Sequence, residues 1–206
     1  MKLSIIAAVA ALAATSPVAA ANLITNGNFE TGTLSGWTLA DSGSGSWFVI
    51  GNGAGTAISG FPTPTLAAGG SFVAMTDQSN PGSHNLSQTL TLGAGAFVLS
   101  FDARGSDQSN SGGAPDQQYI VTVDGVTITG PNTNPGWGFY SFNLNLTAGS
   151  HTFAFQENDD RLFYTAGLDN VSLTAAVPEA ATWAMMVVGF GLVGVAARRR
   201  SATVAA

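Results

Sequence analysis

The 206-residue sequence predicts an all-β, antiparallel β-sandwich bounded by two apolar ends that lie outside the fold. Three observations carry this. Apolar and polar residues alternate with period two through most of residues 22–176, no stretch there keeps a helical period, and Gly, Ser, Asn and Pro dominate the connections. Many short strands with glycine-rich turns form two packed sheets rather than a parallel α/β core.

Residues 23–30, 46–51 and 71–76 are short apolar-rich runs. Over 85–92, Leu86, Leu90 and Leu92 alternate with Ser87, Thr89 and Thr91. Over 96–103, Phe97, Leu99 and Phe101 oppose Ser100 and Asp102. Tyr119, Val121 and Val123 run into Asp124-Gly125, with Val126 and Ile128 following. This pattern over 117–129 is the signature of a hairpin closed by a type I′ turn. Tyr140, Phe142, Leu144 and Leu146 share one face of 137–147, and His151, Phe153 and Phe155 share one face of 150–157. A last strand covers 168–174, and 41–46, 51–70 and 104–117 read as surface loops.

The ends are different in kind. Residues 1–21 place Lys2 before the apolar stretch Leu3–Ala14, then Pro17 and the small residues Ala19-Ala20-Ala21, as in a cleavable secretory signal peptide. Residues 181–197 are apolar apart from three glycines and a threonine, and Arg198, Arg199 and Arg200 follow at once. Seventeen helical residues span about 25 Å, so 181–197 is expected to be a transmembrane helix. The arginines then stay cytoplasmic with the tail 201–206, and residues 22–176 form the ectodomain. The match of Gly189, Gly191 and Gly194 to G-x-G-x-x-G is accidental, because no strand precedes it.

Charge and composition narrow the function. Between the ends there are only Arg104 and Arg161 against eleven carboxylates, a net charge of −9, which argues against nucleic acid as partner. No cysteine is present, which excludes disulfides, thiolate nucleophiles and thiolate metal sites. His84 and His151 are the only histidines, and no G-x-S-x-G or His-x-x-His pattern occurs. The expectation is a protein that is not an enzyme.

Two stretches resemble known families. Val177-Pro178-Glu179-Ala180-Ala181-Thr182-Trp183-Ala184, the apolar helix and the three arginines resemble the PEP-CTERM sorting signal in its "PEPxxWA" variant, with Ala180 where the second proline is usual. The resemblance implies an exported bacterial envelope protein, held in the membrane by 177–200 and processed near Pro178-Glu179 by an exosortase. It also implies company with exopolysaccharide and extracellular matrix. Pro178, Glu179, Trp183, Arg198, Arg199 and Arg200 are the sorting residues it points to.

Asn22-Leu-Ile-Thr-Asn26-Gly-Asn-Phe29-Glu30 with Gly36-Trp37, and Leu168-Asp169-Asn170-Val171-Ser-Leu173, are similar to the opening and closing strands of galactose-binding-like jelly rolls, which include carbohydrate-binding modules. This implies a jelly-roll sandwich and a structural Ca²⁺ tying the terminal strands through Glu30 and Asp169. Asp169 shares parity with Val171 and Leu173, so alternation points it inward; the alternative to a metal is a carboxylate capping backbone N–H groups. Sugar-stacking aromatics are sought among Trp47, Trp137, Phe139, Tyr140, Phe163 and Tyr164, with Trp47, Trp137 and Tyr164 the ligand-binding candidates; burial in the core is the alternative for each. The function expected is a glycan- or matrix-binding surface module. A ligand-free structural surface protein and a small polysaccharide-acting enzyme are the alternatives.

Overall fold

A computed structural model describes residues 20–51, 70–77, 82–107, 118–129, 136–159, 164–176, 183–184 and 186–191. Residues 1–19 of the expected signal peptide 1–21, together with Pro178, Glu179 and Arg198–Arg200, lie outside the described residues. The chain divides into two units. One, Ala21–Ala176, holds all ten strands and the whole described core. Of the other, residues 183–184 and 186–191 are helical, with Trp183, Val187 and Phe190 exposed. Among the described residues no helix is long and apolar enough to cross a membrane.

The strands are β1 (Thr38–Gly43), β2 (Ser46–Gly51), β3 (Phe72–Asp77), β4 (Gly82–Leu92), β5 (Gly95–Asp107), β6 (Gln118–Val123), β7 (Val126–Thr129), β8 (Gly138–Leu146), β9 (Gly149–Asp159) and β10 (Tyr164–Ala175). They form two antiparallel sheets, β1-β4-β9-β6-β7 and β2-β3-β10-β5-β8. The inner faces meet over Leu86, Leu99, Phe101, Phe153, Phe155, Leu168 and Leu173, all fully buried. Phe101 sits at the centre of an aromatic cluster: it stacks on Tyr140 (5.5 Å) and Phe142 (6.0 Å) and meets Phe155 edge-on (5.1 Å). The expected type I′ hairpin is present, with φ of +53° at Asp124 and +78° at Gly125. His151 locks it: Nδ1 lies 2.7 Å from Asp124 Oδ2 and Nε2 2.9 Å from the Thr147 carbonyl.

Three departures from the sequence expectation have physical causes. Residues 23–30 are turns rather than a strand, with left-handed Asn26 and Phe29. The segment nevertheless runs beside β10, because the Asn22 side chain donates to the Val171 carbonyl and accepts from the N–H of Leu173. β1 falls partly on residues read as a loop. It has no buried face, and pairing with β4 defines it. A histidine corner fixes its exit: His84 contacts Asp41 and the Ser44 carbonyl, both at 3.1 Å, where the chain passes from one sheet to the other. Finally, β3 is buried on both faces. Ala74 joins the main core, while Val73 and Met75 form a second cluster with Ile50, Phe48 and Trp137.

Candidate functional site

The outer face of the second sheet gathers the residues with binding chemistry. Register places Phe48, Met75, Gly167 and Arg104 side by side across β2, β3, β10 and β5. Trp137, just before β8, closes this row. A Cβ built on Gly167 would lie 2.6 Å from Arg104 Cγ and 2.8 Å from Trp137 Cη2, so both side chains fold over the glycine. In the next row Asp169 pairs with Asp102, and Asp102 with Phe139. Phe139 is 70% exposed. It lies on the polar parity of β8 with Ser141, Asn143 and Asn145, as alternation requires.

Asp169 corrects the parity reading. The register shifts between Asp169 and Ser172, and Asn170 takes φ +51°, the mark of a bulge. Leu168 therefore faces the core, and Asp169 points to the opposite side of the sheet, beside Asp102. It is still buried, at 2% exposure. Burial pushes its carboxyl up to about 7; the Asn170 N–H works against this, and repulsion from Asp102 and Glu30 adds to it. Asn170 also donates to Asp102 from its side chain at 2.8 Å. Glu30 accepts the N–H groups of Ser71 (2.8 Å) and Phe72 (3.1 Å) with one oxygen, which ties the N-terminal turns to the start of β3. Asp102 and Glu30 thus both act electrostatically on Asp169. Among the described residues no group of three carboxylates or histidines converges as a metal cage. A pocket of about 330 Å³ opens nearby, lined by Asn22, Gly27, Asn28, Asn170 and Ser172.

The structure separates the aromatic candidates. Trp47 is corrected from a surface platform to a core residue: it is 2% exposed and its indole N–H donates to the His84 carbonyl at 3.1 Å. Both ring faces are packed away from solvent, so it offers nothing to a sugar. Trp37 and Tyr140 are partly buried and pack against the main core; Trp37 stacks on Phe29 at 5.6 Å. Trp137 is partly exposed at the row described above. Tyr164 opens β10 opposite Asp107, and its side chain and all of Phe163 lie outside the described residues. Phe139, one of the wider set of six aromatics, is the exposed one that a choice among Trp47, Trp137 and Tyr164 passes over. Its signal is an aromatic on the polar parity of a strand.

The outer face of the first sheet differs. Ser83, Asn85, Ser87 and Thr89 of β4 lie beside Thr152, Ala154 and Gln156 of β9, with no exposed aromatic among the described residues. Hydroxyls and amides here bond to one another, as in Thr89 with Thr152 (2.8 Å) and Gln156 with Ser83 (3.2 Å).

Comparison with known proteins gives two results. Residues 176–200 match the PEP-CTERM protein-sorting motif, so the tail expected from Pro178, Glu179 and Trp183 is a sorting signal of that kind. No curated protein matches the chain. Among solved structures the chain is similar to TmCBM61, determined in complex with β-1,4-galactotriose: TM-score 0.56, 18% identity, 76% of this chain and 99% of that one. It is also similar to the enzymatically active domain of bacteriophage CBA120 tailspike protein 4, at 0.53 and 15%, over 75% of this chain but only 21% of the other. A third neighbour is the K3 cleaved adhesin domain of Lys-gingipain from Porphyromonas gingivalis, at 0.50 and 18%, over 74% and 98%. At these identities the likeness establishes the fold: an all-β, jelly-roll sandwich of the kind found in carbohydrate-binding modules.

Proposed function

We propose that this chain is an exported surface protein whose sandwich binds glycan without catalysing its cleavage. In this reading the precursor crosses the inner membrane, is held there by its C-terminal helix, and is processed by an exosortase near Pro178-Glu179. The freed or re-anchored domain then works at the cell surface or in an exopolysaccharide matrix. The sorting motif supports the export, and the fold shared with a galactotriose-bound module supports the ligand class.

The observation that carries the glycan reading is Phe139, 70% exposed beside Trp137, with Asp102 and Asn170 in the adjoining positions. A pyranose packs its C–H face on a flat ring while carboxylates and amides take its hydroxyls. A glycan array probed with residues 22–176, with and without calcium, tests it. Binding to at least one polysaccharide class is expected, and a blank array in both conditions overturns the reading.

Calcium belongs to the same proposal. Asp169 is a buried carboxylate with two like-charged neighbours, an arrangement that a hard cation would relieve. Glu30 and Asp169 would hold it with backbone carbonyls completing the shell. Its contribution would be structural, fastening the N-terminal turns to the last strand.

A further inference from the structure

We propose that the pocket between the N-terminal turns and β10 is a sugar subsite, seating one uncharged pyranose unit of a chain whose neighbouring units lie on Phe139. This rests on the glycan reading and names the class of ligand: a neutral polysaccharide, not a uronate. The two ends of the domain build the pocket. The Leu23 N–H donates to the Leu173 carbonyl and the Val171 N–H to the Gly27 carbonyl, both at 2.8 Å, so residues 22–27 run against β10. A Cβ on Gly27 would collide with the Val171 carbonyl, so the two segments close up around a glycine. The volume, about 330 Å³, lies at the small end of the roughly 300–1,000 Å³ of ligand pockets and suits one ring rather than a chain.

The lining has the chemistry of a sugar site. Ile24 and Val171, both buried, supply apolar surface, while Asn28, Asn170 and Ser172 supply polar groups. Asn22 is engaged by the fold through Val171 and Leu173. The Asn28 side chain meets the Glu30 N–H through Oδ1, and the Asn170 side chain meets Asp102 through Nδ2. That leaves Asn28 Nδ2, Asn170 Oδ1 and Ser172 Oγ to face sugar hydroxyls, a donor, an acceptor and a group that does both.

Charge selects against an acidic sugar. None of the lining residues is charged, and the next row of the sheet holds the carboxylates of Asp169 and Asp102. Arg104 lies a row further along β5, on the far side of those carboxylates. A uronate here would lose hydration and gain repulsion. Register links the pocket to the platform. Ser172 pairs with Ser100 and Ser100 with Ser141, two residues from Phe139 on the same face of β8. From β10 to β8 is two strand spacings, about 10 Å, which a short oligosaccharide crosses over a floor of hydroxyls.

Affinity electrophoresis of residues 22–176, which hold all ten strands and the whole described core, tests this. The gels contain galactan, xylan, glucan or mannan as neutral probes, and polygalacturonate or alginate as acidic ones. At least one neutral gel should retard the wild type more than either acidic gel. Asn28→Ala/Ser172→Ala should weaken that binding at least about tenfold, with the melting temperature held. Asn28→Ala alone, at an exposed position, should weaken it at least about threefold. Binding that Phe139→Ala weakens but both pocket variants leave intact overturns the subsite while the glycan reading stands. Acidic gels that retard the wild type as strongly as any neutral gel overturn the ligand class in the same way. Unchanged mobility in every gel overturns the glycan reading and the subsite together.

Discussion

Replacing Gly167 by alanine probes the second sheet where its fold and its candidate site coincide. The new Cβ would meet Arg104 Cγ at 2.6 Å and Trp137 Cη2 at 2.8 Å, against an ordinary contact of at least 3.4 Å. Both side chains must retreat by roughly 0.6–0.8 Å, and Trp137 also packs on Ile50, Val73 and Met75. Overpacking of this kind costs about 1–3 kcal/mol. For a domain of this size that lowers the melting temperature by roughly 2–12 °C. Gly93 is the control. Nothing lies within 4 Å of its Cβ position, so Gly93→Ala should be neutral or stabilising by up to about 1 kcal/mol. Differential scanning calorimetry of both variants against wild type measures the contrast. Near-ultraviolet circular dichroism should show the displaced indole in Gly167→Ala alone. Equal melting temperatures for Gly167→Ala and wild type would refute the packing of Arg104 and Trp137 over this glycine.

Three further outcomes follow from the same structure. The Asp124 hydrogen bond and then the Thr147 carbonyl raise the His151 pKa, while His151 and then the Thr152 N–H lower that of Asp124. The charged pair therefore stabilises the fold fully below about pH 6.5 on the histidine side and above about pH 3.9 on the carboxylate side. Its contribution fades as pH rises through the raised His151 value, so the melting temperature of wild type relative to Asp124→Asn should be higher at pH 6 than at pH 9; parallel curves would contradict it. Calcium should raise the melting temperature of wild type but not of Asp169→Ala, and a chelator should reverse the gain. Mass spectrometry of the mature protein from cells with the processing enzyme should find no residues after about 180, with an intact C-terminus the contrary result.

The sandwich was largely legible because alternation is a direct record of burial. Phe97, Leu99 and Phe101 against Ser100 and Asp102 describe β5 without any tertiary information. β1 was not legible, since Thr38–Gly43 buries no side chain face and exists through pairing with β4 and the His84 corner. Asp169 misled for a related reason. One left-handed residue, Asn170, inverts the parity of everything before it, and asparagine in a strand does not announce a bulge. For the site, Trp47 and Trp137 look alike in sequence, and only the packing of two sheets assigns one to the core and the other to the surface. Phe139 was the readable one, an aromatic set among Ser141, Asn143 and Asn145.

The proposed glycan site lies on Trp137 and Phe139 of the second sheet. Affinity electrophoresis of residues 22–176 through gels containing exopolysaccharide tests it most directly, comparing wild type with Trp137→Ala and Phe139→Ala. Retardation of the wild type and at least about tenfold weaker binding by both variants is the predicted result. Wild-type mobility unchanged by any polysaccharide, or retardation that survives both substitutions, would contradict it.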